Sequence, residues 1–320
     1  MPRSCPGFFY SRLAKTSKTL YHPVIQIGGA MSRECFLIIN PVSGGYSETR
    51  LKSVKAHLEA AGFNVVPMMT GSPDDAACFA DRLCREWDEP FIVVCGGDGT
   101  VNGVINGLEP GRAVLAILPL GTANVLAREL AIRSAEDAVS RIIRGNTRTL
   151  TIGVVEGAWG KRRFVLMAGI GLDGSIVENL RIGEKRILGK GAYLLAAARR
   201  LIKWERERFE VVADGRRIRC HSVIACNASR YGGSFVLAQN SDLFSPGLQA
   251  VCITGDSRAA YARLFMSILA GKVRDNDGIT LLSAKELSVS GNKPVQVDGD
   301  YCCRAPVRIR AMEGFARLIV

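Results

Sequence analysis

At 320 residues, 48% hydrophobic and 22% charged, the chain has the composition of an ordinary soluble protein with room for two domains, each with its own core. Its formal charge of +12 favours nucleotides, anionic lipid surfaces or nucleic acid as partners, although many basic proteins carry such a charge with no polyanionic partner. No stretch reaches the length of a transmembrane span: the longest uncharged run, Ala113 to Ala127, is broken by Pro119 and Gly121.

Residues 1–33 hold Arg3, Arg12, Lys15, Lys18 and Arg33 and no acidic residue. They lack the continuous apolar centre of a secretion signal. They read as a basic, flexible leader, as an organelle transit peptide, or as a segment upstream of a true start at Met31. From residue 34 to about 145, strand and helix patterns alternate. Apolar runs at 36–40, 64–67, 91–95 and 114–119 read as strands, and the spacing predicts helices over 47–61, 73–86, 101–107, 124–130 and 135–144. Regular alternation with short loops implies a doubly wound parallel sheet covered by helices on both faces.

After Gly145 the pattern changes to short strand-like runs at 149–156, 163–169, 208–213, 216–219, 222–227, 248–254, 280–283, 286–290 and 295–297. Turns bearing glycine, proline and asparagine separate them, which predicts a mostly antiparallel second domain, a sandwich or a distorted barrel. Helices near 187–204 and 257–270 interrupt it. The first carries Lys190, Arg199, Arg200 and Lys203 about an apolar body and ends at Trp204. That composition suits a membrane interface or a helix packing one face on a sheet, and the basic loop before it, 181–186, suits anionic headgroups or solvent. Nine cysteines besides Cys5 sit mostly inside apolar patterns without a Cys-x-x-Cys pair, so reduced buried thiols are expected. The three histidines are scattered, which gives zinc or histidine catalysis no support.

Three of the first-domain strands end in polar, glycine-bearing turns. Ile92-Val93-Val94-Cys95 runs into Gly96-Gly97-Asp98-Gly99-Thr100, the run 114–117 into Leu118-Pro119-Leu120-Gly121-Thr122-Ala123-Asn124, and the run 36–39 into Asn40-Pro41-Val42-Ser43-Gly44-Gly45. In a parallel sheet such turns collect at the carboxyl edge, where ligands bind. Glycines let backbone approach phosphate oxygens, and helix N-termini offer unpaired N–H groups to them. Asp98 supplies the negative charge a magnesium ion needs beside phosphates, or caps the helix that follows. Late in the chain, Val297-Asp298-Gly299-Asp300 places two carboxylates two residues apart. On a strand they share a face and draw a cation or shift a pKa; with a glycine turn they form a hairpin. Asp242, in the turn 240–247, is a weaker candidate for a structural cation.

The ordered set Asn40-Pro41-x-Ser43-Gly44, Gly96-Gly97-Asp98-Gly99-Thr100 and Leu118-Pro119-Leu120-Gly121-Thr122-x-Asn124 resembles the catalytic domain of the diacylglycerol kinase and sphingosine kinase superfamily, most of all soluble bacterial lipid kinases. Thr70 with Asp75-Ala76, Gly189-Lys190-x-Ala192-Tyr193 and Val297-Asp298-Gly299-Asp300 fall in the expected order, so the resemblance spans about residues 34 to 320. It implies an α/β nucleotide-binding domain at 34–145, completed by a returning strand at 314–320, and a β-rich lipid-substrate domain, an antiparallel sandwich, at 146–313. It implies ATP as phosphoryl donor, held by Asn40, Ser43, Gly44, Thr70, Gly96, Gly97, Asp98, Gly99, Thr100, Gly121, Thr122 and Asn124. Mg²⁺ would rest on Asp98 and Asp300, with Asp298 as general base. Two positions depart from the family: Asp300 stands where Glu is usual, and Val125 where Asp is frequent.

The expectation is therefore a lipid kinase acting on a diacylglycerol-like or sphingoid lipid presented at an anionic membrane surface. It would be cytoplasmic, peripheral at the inner membrane face, with no nucleic acid partner; a homodimer is compatible with it. The rivals are an NAD kinase, which shares the glycine motif and two-domain plan, and a non-catalytic binder of anionic membranes or nucleic acid.

Overall fold

The computed structural model describes residues 33–179, 206–276 and 278–320. The leader up to residue 32, the basic loop 181–186 and the helix expected at 187–204 lie outside the described residues. The first strands are β1 (Arg33–Ile39), β2 (Phe63–Met69), β3 (Phe91–Gly96) and β4 (Val114–Pro119). They pair in parallel in the order β2-β1-β3-β4. β3 and β4 are buried almost end to end, as continuous apolar strands must be when helices cover both faces. The helices are α1 (Glu48–Ala60), α2 (Asp75–Glu86), α3 (Asp98–Gly107), α4 (Val125–Glu129) and α5 (Ala135–Arg144). Ser47 and Ser134 cap α1 and α5 through their hydroxyls, and α5 stops at Gly145 in the left-handed region. α3 starts three residues ahead of its apolar periodicity because the Gly97 carbonyl accepts from the N–H groups of Thr100 and Val101 at 3.0 and 3.1 Å. That early start draws Asp98 and Gly99 into the first helical turn.

The remaining elements are β5 (Thr147–Gly157), β6 (Gly160–Phe164), β7 (Met167–Ile170), α6 (Leu172–Glu178), β8 (Phe209–Ala213), β9 (Arg216–Cys220), β10 (Ser222–Cys226), β11 (Arg230–Tyr231), β12 (Phe235–Val236), β13 (Leu248–Ile253), α7 (Arg258–Leu269), β14 (Ile279–Ala284), β15 (Glu286–Val289), β16 (Pro294–Val297), β17 (Asp300–Arg304) and β18 (Val307–Ile319). One antiparallel sheet runs β14-β13-β10-β7-β16-β17. It packs on strands of the other sheet, with Val155, Phe164, Val211 and Ile309 meeting Ile170, Val223, Ala250 and Val295 in a shared core. This is the expected sandwich.

Two strands differ from expectation. The run 163–169 is not one strand: β6 belongs to the first sheet and β7 to the second, and the chain changes sheets at Val165 and Leu166. Both halves are apolar, so periodicity hides the break. The closing strand begins at Val307, well before 314. β18 pairs antiparallel with β15 and β5, then parallel with β4 through Arg317–Val114 and Leu318–Leu115. An irregularity between Met312 and Ala316, with Gly314 at φ 67°, lets it turn from the sandwich into the nucleotide-side sheet. Among the described residues no helix is long and apolar enough to cross a membrane.

Candidate active site

The turns after β1, β3 and β4 are joined by backbone hydrogen bonds. Gly45 N–H donates to the Leu120 carbonyl at 2.8 Å, Leu120 N–H to the Gly96 carbonyl at 2.9 Å, and Asn40 N–H to the Cys95 carbonyl at 2.9 Å. Asn40 Nδ2 reaches Thr100 Oγ1 at 3.1 Å, and Ser43 N–H turns back to the Asn40 carbonyl at 3.2 Å. Most of the glycines are demanded by this turn-on-turn packing. A Cβ on Gly96 would stand 2.4 Å from Thr100 Oγ1, one on Gly121 2.4 Å from the Gly97 Cα, and one on Gly44 3.1 Å from Thr122 Oγ1. Gly99 is different. It is exposed, nothing lies within 4 Å of a Cβ built there, and its N–H belongs to the first turn of α3. Among the glycines of these turns, the open corner is at Gly99. Thr70 ends β2 half-buried, its N–H bonded to the Ile39 carbonyl at 2.8 Å. The turn beyond it is held by Asp75, which accepts from the N–H groups of Gly71 and Ser72 at 2.7 and 2.9 Å.

Asp98 caps a helix, but not the one that it opens. Its Oδ2 accepts from Val125 N–H and its Oδ1 from Leu126 N–H, both at 3.0 Å, which closes the N-terminus of α4. Asn124 makes this geometry. It sits at φ 47°, ψ 51° and exchanges two 2.8 Å bonds with Gly121, which aims the next two N–H groups at Asp98. Val125 itself turns its side chain into the core, at 7% exposure. Each oxygen of Asp98 retains a second acceptor direction for a cation or its water. Mg²⁺ usually takes one or two carboxylates, substrate phosphates and water. Asp98 offers such a carboxylate and Asp300 is exposed at the start of β17, while among the described residues there is no cluster of three acidic, histidine or cysteine ligands.

The pair Asp298 and Asp300 does not share a strand face. Asp298 and Gly299, at φ 48° and 89°, form the two-residue turn between β16 and β17, with Val297 paired to Asp300. The Asp298 carboxylate points inward. Oδ1 accepts from Leu166 and Met167 N–H at 2.9 and 3.0 Å; Oδ2 accepts from Val165 N–H at 2.9 Å and Asn102 Nδ2 at 2.8 Å. Burial pushes this carboxyl's pKa up, while the four donors pull it down. The chain's change of sheets at Val165–Leu166 is therefore made around Asp298. Through Asn102, four residues along α3 from Asp98, the same carboxylate ties the sandwich to the nucleotide-side sheet. The turn is braced from behind: Gly299 N–H donates to Gln296 Oε1 at 2.8 Å, Gln296 Nε2 to Asp173 Oδ2 at 2.7 Å, and the Tyr231 hydroxyl to Asp173 Oδ1 at 2.5 Å.

Asn102, Asp173 and Gln296 are thus site residues that motif reading missed, as is Glu129, which accepts from Ser229 N–H and its hydroxyl at 2.9 Å and binds α4 to the start of β11. The one local sign was Asn102 itself, buried at 4% exposure and paired with Asn106 one turn on in a largely apolar helix. Asp242 is engaged by Phe244 N–H, the Ser245 hydroxyl and Arg148, which accounts for it as a turn residue.

Glycine turns gathered at the carboxyl edge of a parallel sheet, with carboxylates from two domains brought to one helix, suit a nucleotide-dependent phosphotransferase. Residues 34–155 match the diacylglycerol kinase catalytic domain, and residues 167–320 the YegS C-terminal NAD kinase beta sandwich-like domain. Over 275 residues the chain is 28% identical to a diacylglycerol kinase of Bacillus subtilis (strain 168), covering 83% of this chain and 89% of that protein. A crystal structure of a candidate diacylglycerol kinase from Bacillus anthracis str. Sterne superposes with a TM-score of 0.74 at 25% identity, over 90% of this chain and 97% of that one. An Archaeoglobus fulgidus NAD kinase in complex with ATP shares the fold at a TM-score of 0.50 and 13% identity, over 89% and 93% of the two chains. The chain belongs to the diacylglycerol kinase family of lipid kinases.

Proposed function

We propose that the protein transfers the γ-phosphoryl group of ATP to a hydroxyl of a diacylglycerol-like or sphingoid lipid lying in an anionic membrane, from the cytoplasmic side. The observation that carries this reading is the open corner at Gly99, set on the same helix as Asp98 and the Asn102–Asp298 contact. Phosphoryl transfer of this kind is accelerated mainly by positioning and charge. The β1, β3 and β4 turns orient the triphosphate, with Gly99 at the open corner. Asp98 and Asp300 would hold Mg²⁺, which supplies positive charge to the phosphoryl oxygens. Asp298 receives the proton of the lipid hydroxyl, and its donor set imposes a condition: one of four donors must leave. Three are backbone groups fixed by the change of sheets, so Asn102 is the one to give way, and in doing so it also leaves the Arg163 carbonyl.

The test is incubation with γ-labelled ATP, with mixed lipids or NAD as acceptor. Label in the lipid fraction, with none transferred to NAD, is expected; label in NADP would replace this reading with the NAD kinase rival. Asp300→Ala should raise the magnesium concentration needed for half-maximal rate.

A further inference from the structure

Helix α7 is apolar on both of its sides. Ala260 and Leu264 are buried, and Tyr261 and Ile268 pack beside them on the core. On the opposite side Phe265, Met266 and Leu269 are 54%, 62% and 48% exposed, with Ala262 exposed one turn earlier. Phe235, in the strand β12 against which α7 packs, adds a further 41%-exposed ring. A helix on the surface of a globular protein presents polar residues outward. Grouped apolar exposure of this kind marks an interaction surface.

Charge decides what the surface meets. From 257 to 274 there is no acidic residue between the flanking Asp256 and Asp275, while Arg258 at the start of the helix, Arg263 at its middle and Lys272 and Arg274 just beyond its end are all exposed. In a symmetric contact between two copies this basic surplus, four basic side chains against the two flanking acidic ones on each copy, meets itself, which opposes self-association. An anionic bilayer has the complementary charge and accepts the apolar side chains at its headgroup–acyl boundary. The patch is also close in structure to the site. β12 pairs with β11, whose Tyr231 holds Asp173 behind the Asp298 turn and whose neighbour Ser229 is bound by Glu129 of α4.

We propose that α7 and Phe235 form the face with which the protein docks on an anionic lipid bilayer. Phe265, Met266 and Leu269 enter the boundary, and Arg263, Lys272 and Arg274 lie at the lipid phosphates. The purpose of docking rests on the lipid-kinase reading, since the acceptor lipid lies in that bilayer; the docking itself is measured without turnover.

The experiment is sedimentation of the full chain with vesicles of phosphatidylglycerol and phosphatidylcholine, and with phosphatidylcholine alone, at low salt. Substituting Phe265→Ser, Met266→Ser and Leu269→Ser together should lower the partition coefficient on the order of 100-fold. Arg263→Gln with Lys272→Gln and Arg274→Gln should lower it roughly 10-fold or more on anionic vesicles and hardly at all on phosphatidylcholine. Both variants should keep wild-type turnover on a short-chain diacylglycerol dissolved as monomer. If the triple serine variant melts early, the single Phe265→Ser variant reads the same loss at about 10-fold. Unchanged partitioning of either apolar variant overturns the proposal. So does a wild-type protein that ignores anionic vesicles but sediments as a dimer dissolved by the serine substitutions. A wild type that binds vesicles through this face yet phosphorylates no lipid overturns the kinase reading and upholds the docking face.

Discussion

Gly99→Ala separates what the fold needs from what the nucleotide needs. The residue lies in the first turn of α3, its φ is not in the left-handed region, and an added Cβ would meet nothing within 4 Å. In the free protein alanine should therefore stabilise, by about 0.4–1 kcal/mol, because it restricts the unfolded chain. For a domain of this size that is a rise of roughly 1–4 °C in Tm. The same methyl group stands where a phosphate oxygen would meet the Gly99 N–H. Losing one charge-assisted hydrogen bond of about 1.5–3 kcal/mol raises the KM for ATP roughly 10- to 100-fold. Thermal unfolding and an ATP titration at saturating lipid measure the two effects on one preparation. A higher Tm with an ATP KM within about twofold of wild type would show that the phosphates rest elsewhere. A lower Tm would refute the open corner itself. Gly121→Ala is the contrasting case: its Cβ would lie 2.4 Å from the Gly97 Cα, so the two turns must part by about 1 Å, at a cost of about 1–3 kcal/mol and on the order of 10² in rate.

Asp98→Ala should stop transfer and also lower the urea midpoint, by about 1–2 kcal/mol of stability, because Val125 and Leu126 N–H lose their acceptor. Asp98→Asn should recover part of that stability and none of the activity; a wild-type midpoint in the alanine variant contradicts the cap. Asp298→Asn brings an amide NH₂ against backbone donors, so about 1–3 kcal/mol of stability should go together with a fall in kcat on the order of 10² to 10⁴. Normal turnover in that variant places the base elsewhere. Burial raises the carboxyl pKa of Asp173, against hydrogen bonds from Tyr231 and Gln296 that lower it. The folded state therefore holds this proton more tightly than the unfolded chain. Its stabilising effect is complete below the ordinary aspartate range and is lost as pH rises through the raised value. The nearby Cys226 thiol and Tyr261 phenol are themselves pushed up by burial and stay neutral there. Asp173→Asn should flatten the decline of Tm with rising pH; an unaltered slope would show that Asp173 does not titrate in that range.

The parallel half was legible because its signals are local. Continuous apolar runs of strand length bounded by glycine turns favour covered strands, and β1, β3 and β4 are such strands, with the half-exposed β2 at the sheet edge. The reason for the glycines was not legible, since Gly97 and Gly121 are far apart in sequence and explain each other only once β3 and β4 are side by side. Asp298-Gly299 carried the hairpin signal openly. What no pattern could show is that its carboxylate would gather the N–H groups of Val165, Leu166 and Met167, because such a partnership is set by the crossing of two sheets. Asn102 is intermediate: an amide pair, Asn102 and Asn106, among Val101, Val104 and Ile105 announces a buried partner without naming it.

The path of β18 governs the order in which the protein can be made. The edge of β4 is completed only by Arg317 and Leu318, which follow every sandwich strand in the chain, so a nascent chain carries the parallel sheet with that edge bare until the sandwich has been translated. An apolar parallel edge left open through synthesis is a template for wrong pairing, and contacts so distant in sequence form slowly. Once β18 is in place it is a shared beam: pulling it away strips β15 and β5 of a neighbour as well as β4. The parallel sheet and the sandwich should therefore melt as one cooperative unit, and damage to β18 should be felt at the turns after β3 and β4.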